Sequence, residues 1–598
     1  SFPPFGSMAI IQSLKEVGEE PFFYNIDYFR FNHAEIIEYF SENKFDIVGI
    51  SAVVSTAYTY TKYLSDLIKE VSPKTTIIVG GNLGASAEII LRKCSVDLCV
   101  IGDGEIIINN LIHLIANKPF NYEKLSRTKG ICFLDENNKF IFTGYGDKPS
   151  KISIKSPDYS ILEHDGSIDH YISDEVDSYA FSYGRTLEKG KKLASVITTK
   201  GCVARCTFCH RFEKGYRARP VEQVIEHVKY LINNYNVGVI SIADENFGSD
   251  KKLAWQIATE LGKLNIVWKV AGVRTRTVTK ESLQHWKDNG CYMVLYGIES
   301  GSEKILGVME KNASVEENVN ALKWTGEVGL LTIIQLVLAL PGENDKTIYE
   351  TIEFLKKVSP YVILWAKESA SDQISINYAQ ALPGTPLYEY AREHGLIENS
   401  INGEEKYLIK ISDTDAYDED HFINTSDLPL LKVLMWRTVI LTHLDFHHYN
   451  QKSKSNHKLS LWQVVSYYTG IIAVRISYKI RNKTREKKSD IINNDIATSG
   501  YFNIYKGLKF SVLLCNPITK NFLRPLIGFY VFSKFLKTPK KALGLIIEYI
   551  NWKFKFNNTL ESEQTSQGRT LRKTVSIAPS TTNISVENDQ MIPLRQGR

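Results

Sequence analysis

LASVITTKGCVARCTFCH, residues 193–210, reads as a buried strand that runs straight into a loop carrying three of the chain's eight cysteines within eight positions. Its opening half is apolar and β-branched, and Gly201 ends it, which is the pattern of a strand covered on both faces. The downstream sequence keeps alternating in the same way. PVEQVIEHVKYLINNYN (220–236) has helical periodicity, VGVISIADEN (237–246) is a strand, KKLAWQIATELGKL (251–264) a helix and VWKVAGV (267–273) a strand. The series continues through a helix at 280–290, the strand CYMVLYGIES (291–300), a helix at 315–329, the strand LTIIQLVLALPGE (331–343), a helix at 345–360 and the strand SDQISINYAQALPGT (371–385). Six strand–helix steps predict a partial (βα)6 barrel over 191–400, with chemistry at the strand ends. The cysteine loop, Asp244, Glu299 and both LPG turns fall at those ends.

Upstream, FDIVGISAVV, TTIIVGGN and VDLCVIGDGE are apolar strands separated by helical stretches, predicting a doubly wound parallel sheet over 1–145. Its glycines, Gly80, Gly81, Gly102 and Gly104, sit at carboxyl strand ends, where open α/β sheets bind ligands. Residues 121–190 read as a polar connection containing a hairpin, ICFLDENNKFIFTG, and the domain linker is set at 146–190. Residues 401–560 become helical, basic and rich in clustered aromatics. Residues 561–598 are Ser/Thr/Gln-rich and predicted to be disordered. The fold class is therefore α/β with a mainly helical C-terminal domain.

A length of 598 residues exceeds one hydrophobic core, and 43% hydrophobic against 23% charged residues excludes wholesale disorder. Five cysteines scattered singly, at 94, 99, 132, 291 and 515, do not form a secreted disulfide framework, so a reducing, cytoplasmic setting is expected. No basic segment with a succeeding apolar core marks the start, and no export signal is expected. Cys202, Cys206 and Cys209 can hold three corners of a cubane iron–sulfur cluster and leave its fourth iron open. The competing reading is a Cys3His zinc site with His210, made geometrically poor by the adjacency of Cys209 and His210.

Cys-x3-Cys-x2-Cys at the first barrel strand, with Phe208 before the last cysteine, resembles the radical S-adenosylmethionine (SAM) superfamily. YGIESGS (296–302) is similar to the family's ribose- and methionine-binding stretch, and ADENF (243–247), VRTR (273–276), LPGE (340–343) and LPGTPLY (382–388) resemble its other strand ends. PPFGSMAIIQSLKEVGEEPFFYNID (3–27), DIVGIS (46–51), IIVGGN (77–82) and DLCVIGDGE (97–105) resemble the cobalamin-binding domain of the cobalamin-dependent branch. The Asp-x-His-x-x-Gly signature that supplies a histidine to cobalt elsewhere is absent. The resemblance implies a [4Fe-4S] cluster on Cys202, Cys206 and Cys209, and SAM near Phe208, Arg274, Gly297, Glu299 and Ser300. It implies cobalamin near Ser51, Ser55, Gly80, Gly81, Gly102, Gly104 and Glu105, with Val53, Ser55 and Thr56 on its lower side. It also implies reductive cleavage of SAM to a 5′-deoxyadenosyl radical and, in methylase members, methyl transfer from methylcobalamin to an unactivated carbon. Radical cyclisation or rearrangement, and RNA modification, are the rival activities. An electron donor such as flavodoxin or ferredoxin is implied as well.

Residues 430–559 hold 22 Lys and Arg against 5 Asp and Glu, a net +17, which leaves −12 for the remainder of a chain whose total is +5. Apolar segments interleaved with cations, as in FLRPLIGFYVFSKFLKTPKKALGLIIEYINWKFKF, are expected to contact the inner face of a membrane peripherally. They are too short between charges to span it. A lipid-like or other small-molecule substrate is expected. A nucleic-acid partner is disfavoured because the region lacks a small β-barrel RNA module.

Overall fold

The computed structural model describes residues 2–558 except 117, 147–153, 177, 185, 211–215, 368–372, 415–418, 420, 454–458, 467 and 470–509. The tail expected at 561–598 lies outside the described residues. Two compact units emerge: one from residues 1–341 and 375–425, the other from 342–374 and 426–565.

The first unit contains two main sheets. One has five strands in chain order: β1 (Ile47–Ser51), β2 (Thr76–Gly80), β3 (Leu98–Val100), β4 (Ile131–Leu134) and β5 (Phe140–Phe142). The first three pair in parallel, while β4 and β5 run antiparallel, with Cys132 opposite Cys99. The hairpin expected in the polar connection thus completes this sheet: its Ile131, Cys132 and Phe133 are fully buried, and burying them requires a sheet edge. Side chains alternate between faces. Ile77, Val79 and Cys99 join the core on one side, with Leu64, Leu67 and Ile68 of helix Tyr58–Val71. Ile78, Leu98 and Val100 join the other, with Ile107, Ile108, Leu111 and Ile115 of helix Gly104–Ile115. Period 2 in the strands meets period 3.6 in the helices, so each apolar face is covered.

The second sheet has six strands in the order β13 (Ile374–Tyr378), β12 (Ile334–Leu338), β11 (Cys291–Glu299), β10 (Val267–Val273), β9 (Val237–Ile242) and β6 (Lys192–Val196). From β6 through β9, β10 and β11 to β12 each neighbouring pair is parallel, and the sheet stays open between β13 and β6. It therefore forms a half-barrel, as the six-step alternation predicts. A short antiparallel pair, β7 (Thr199–Lys200) and β8 (Arg217–Ala218), brackets the cysteine loop. Capping boxes at Thr279/Ser282 and Ser314/Glu317 set the starts of two outer helices.

Compactness groups two helices differently from the expected domain bounds. Helix Ile401–Ile411 belongs to the first unit, where Tyr58 donates to Glu405 (2.9 Å) and Tyr388 to the buried Glu404 (2.8 Å). Conversely, helix Asp345–Val358, read as a barrel helix, belongs to the second unit. There the Asp345 carboxylate accepts from Trp436 Nε1 (3.0 Å) and Arg524 (3.0 Å) and lies 3.1 Å from Lys432. Burial opposes its ionisation, yet these three partners hold its carboxyl below the usual range. Long helix Leu430–Ser453 packs against helices Asp345–Val358, Leu523–Ser533 and Pro539–Asn558. Among the described residues no helix is long and apolar enough to cross a membrane.

Candidate functional site

The cysteine loop leaves β6 under tight control. Asp244, at the end of β9, is buried and accepts four hydrogen bonds, from the backbone N–H of Thr198 (2.6 Å) and Thr199 (3.1 Å) and from their hydroxyls (2.5 and 2.8 Å). Desolvation pushes its pKa up and those four donors pull against it. Asp244 therefore bolts the neighbouring strand end to the root of the loop. Further along, Thr207 is wholly buried between the cysteines: its N–H donates to Met309 O (2.9 Å), its hydroxyl to Val308 O (3.0 Å), and its carbonyl accepts from Leu387 N (3.0 Å). LPGTPLY thus serves as a brace for the loop. Phe208 packs half-buried into the core beneath.

All three loop thiols are free. Cys206 is buried, while Cys209 is surrounded by protein in a recess that leaves its surface open to solvent. Burial raises the Cys206 pKa, with Glu299 and Cys202 adding to the rise and Lys311 and Arg274 opposing it. Burial pushes Cys209 up to about 12, with smaller contributions from Cys206, Cys202, Glu245 and Glu299. Glu299 acts on both Cys206 and Cys209, whereas Lys311 and Arg274 act on Cys206, and among the described residues no three Cys, His, Asp or Glu side chains are gathered closely enough to hold a single metal ion. Cys206 and Cys209, both resisting ionisation beside Cys202 and with no fourth cysteine in the loop, fit a group that supplies compensating positive charge and completes its own coordination. The donor set fits a cubane cluster with one open iron.

Glu299 closes β11 in the left-handed region, at φ +62°, which disfavours a residue with a Cβ. Its carboxylate meets Lys311 Nζ at 2.8 Å, each side chain being 12% exposed. A methyl group on Gly297 would lie 2.7 Å from that same Nζ and overlap the carboxylate, so glycine is what lets the pair fold back across the strand. Arg274 donates to the carbonyls of Lys311 and Asn312, and Arg276 to Asn312 (3.0 Å). Both arginines thus fasten the turn that presents Lys311. Ser300 is buried and accepts from Ser302 N (3.1 Å).

The other sheet contributes its strand ends. After β1, Ala52 and Ser55 are buried, whereas Val53 and Val54 are exposed at 62% and 52%. Ser55 Oγ lies 3.2 Å from His210 Nε2, linking this loop to the residue after the last cysteine. Burial pulls His210 down to about 4, so the ring is neutral at pH 7. Asp413 N donates to Thr56 O (3.0 Å), and Thr59 N to Ser412 (3.1 Å), fixing the loop from the far side. Gly80 and Gly102 face open space; Gly81, at φ +93°, would overlap the Ala52 carbonyl if it carried a Cβ, and Gly104 packs on Ile10. Ser51 is exposed. Asp103 pairs with Lys200 (2.6 Å) and Arg217 (2.7 Å), and Glu105 with Lys200 (3.1 Å). Two exposed valines and two open glycines beside a pinned loop fit a flat, largely apolar macrocycle at this edge.

Residues 196–355 match the Radical SAM superfamily, and residues 1–112 match the B12 binding domain. The chain joins a B12 binding domain to a radical SAM domain. It is 28% identical to an uncharacterized methyltransferase of Pyrococcus horikoshii over 61% of this chain and 72% of that one. It is 25% identical to the anaerobic magnesium-protoporphyrin IX monomethyl ester cyclase of Rubrivivax gelatinosus over 54% of this chain and 56% of the relative, a little over half of that enzyme. Its fold matches the cobalamin-dependent S-adenosylmethionine radical enzyme OxsB, solved with aqua-cobalamin and SAM, at a TM-score of 0.53 and 17% identity, over 92% of this chain and 81% of that one. The two domain matches pair radical SAM chemistry with B12 binding, and the OxsB likeness shows the shared fold.

The expected cluster, SAM and cobalamin residues lie at or just beyond strand ends of the first unit, whereas Gly342 and Glu343 of LPGE fall in the second. Thr207, Lys200, Arg217 and Lys311 were not anticipated. Thr207 sits inside the cysteine motif but carries no family letter, and Lys311 lies in an unremarkable turn whose only signal is a buried lysine.

Proposed function

We propose that this chain is a cobalamin-dependent radical SAM C-methyltransferase acting on an unactivated carbon of a small-molecule or lipid-like substrate. The observation that carries the reading is the Ser55–His210 hydrogen bond, which ties the loop at the cobalamin-binding edge to the cysteine loop (3.2 Å). When bound, the cluster and SAM supply a 5′-deoxyadenosyl radical, and methylcobalamin supplies the methyl group.

The chain's own residues orient and exclude. Cys202, Cys206 and Cys209, as thiolates, would hold the cluster. Gly297, Glu299 and Ser300, with Phe208 nearby, line the SAM side, and Lys311 and Arg274 hold Glu299 in position. Ser51, Ser55, Gly80, Gly81, Gly102, Gly104 and Glu105 form the cobalamin edge. The Asp-x-His-x-x-Gly histidine is absent, and the loop of Val53, Ser55 and Thr56 would face the lower side of the bound corrin. Residues 1–145 serve as the cobalamin-binding domain and 191–400 as the barrel, with a flavodoxin- or ferredoxin-like electron donor and a cytoplasmic location.

Cyclisation is the second reading, favoured by the similarity to the Rubrivivax cyclase. Anaerobic reconstitution with iron, sulfide and cobalamin, and then mass spectrometry of SAM products, separates the two. S-adenosylhomocysteine formed together with 5′-deoxyadenosine is expected. Deoxyadenosine alone, in the presence of substrate, overturns methyl transfer.

A further inference from the structure

In the second unit, helix Pro539–Asn558 is apolar on two sides. Ala542 and Leu545 are buried, and the helix packs against Leu430–Ser453. Leu543, Ile546, Ile547, Ile550 and Phe554 are all exposed instead, Leu543 at 58% and Phe554 at 69%. Their spacing of i, i+3, i+4, i+7 and i+11 gathers them in one arc of about 100°. An ordinary surface helix turns polar residues outward, as Tyr58–Val71 does with Thr59, Asp66 and Glu70. Helix Leu523–Ser533 repeats the two-sided pattern: Leu523, Ile527 and Val531 are buried, while Leu526 and Phe529, with Phe522 just ahead of them, are exposed. A stripe of this size left against water marks a surface with a partner.

Charge identifies the partner. Residues 510–558 contain eight Lys and Arg and a single acid, Glu548. Lys540 and Lys553 fall at the two edges of the apolar arc, and both are exposed. A bilayer carrying anionic headgroups meets both requirements, taking aliphatic and aromatic side chains into its interface and attracting the cationic rim. A nucleic acid would satisfy the lysines and leave five large apolar side chains in water. We propose that the outward face of helix Pro539–Asn558, together with Phe522, Leu526 and Phe529, docks this chain on an anionic membrane surface. The surface belongs to the second unit and is independent of the chemistry proposed above.

Sedimentation of the full, anaerobically purified chain with phosphatidylcholine vesicles, plain or doped with phosphatidylglycerol, tests it without SAM or substrate. Binding to doped vesicles that weakens as salt rises is expected. Ile550→Ser combined with Phe554→Ser should weaken it more than about tenfold. Lys540→Glu combined with Lys553→Glu should weaken it at least about fivefold per lysine. All four positions are exposed, and circular dichroism should show unchanged helix content. The proposal fails if the full chain stays in the supernatant with doped vesicles, including because residues 470–509 or 559–598 cover the stripe. It also fails if the serine pair binds as tightly as wild type, if tRNA displaces the vesicles at equal charge, or if the same substitutions instead abolish self-association.

Discussion

Replacing Lys311 by methionine should release Glu299 from its place at the end of β11. The left-handed backbone there costs roughly 1–2 kcal/mol for a residue with a Cβ. Against it stands a charge-assisted hydrogen bond of 2.8 Å between groups that are each 12% exposed, a contact worth about 1.5–3 kcal/mol. The two magnitudes are close, so the conformation persists only while the lysine is present. Methionine keeps the volume and removes the charge, and the carboxylate then swings toward water. If Glu299 orients SAM, affinity should fall about tenfold to a hundredfold, and Glu299→Gln should cause a comparable loss. The double variant should be little worse than either single one, because both remove the same interaction. Equilibrium titration of the cluster-loaded protein with SAM reads all three. Additive losses, or unchanged SAM affinity in Lys311→Met, would show that Lys311 does not hold Glu299 in place for SAM.

Asp103→Asn should destabilise the first unit by roughly 2 kcal/mol at pH 7, because Lys200 and Arg217 lose their common partner. Burial opposes ionisation of Asp103, but the two cations hold its carboxyl below the usual range. Its contribution is therefore present above the ordinary carboxylate range and lost as pH falls through the depressed value; thermal melts of wild type and variant should converge toward acid, and a constant gap would count against the pair. Asp244→Ala should strip four hydrogen bonds from the root of the loop and cost about 3 kcal/mol or more, while Asp244→Asn keeps an acceptor for the backbone donors and should cost about 1 kcal/mol. Equal melting shifts for the two would contradict the bolt. Thr207→Val preserves shape and removes one buried hydroxyl donor, so about 1–2 kcal/mol of stability should go, along with part of the iron retained after anaerobic gel filtration; full retention would mean that the brace is not needed.

Much of this fold can be read from the chain because its strands are covered on both faces. Runs such as VGVISI and CYMVLYGI then become uninterrupted apolar segments, and six of them in register with helices admit few alternatives to an open barrel. The cysteine spacing is legible for a chemical reason: three thiolates close together need a polynuclear partner or a fourth ligand. Contact between distant residues stays hidden. Helix Asp345–Val358 has the periodicity of any barrel helix, and its membership of the second unit depends on Asp345 reaching Arg524, 179 positions away. The hairpin at 131–142 looks like a loop excursion until the edge of β3 is known to need covering. Ser55 and His210 each stand out in the sequence for separate reasons, and only their separation of 155 positions collapsed to 3.2 Å makes them a link.

The loop that holds Cys202, Cys206 and Cys209 is fixed from several elements at once. Asp244 holds its root, Met309 and Leu387 hold Thr207, and Ser55 holds His210, so β9, the turn after β11, the segment after β13 and the loop after β1 each contribute one fastening. Three of these come from the barrel and one from the cobalamin-binding sheet. A metal-binding loop needing only to retain its cluster would be served by the barrel alone. The fourth fastening adds nothing to the cysteines themselves and constrains one distance, that between the cluster loop and the neighbouring sheet edge. Buried as it is, the neutral His210 makes that link insensitive to pH across the physiological range. Chemistry that passes a short-lived radical from one cofactor to a substrate held beside another depends on such a distance, since misplacement on the order of 1 Å can cost a hundredfold in rate.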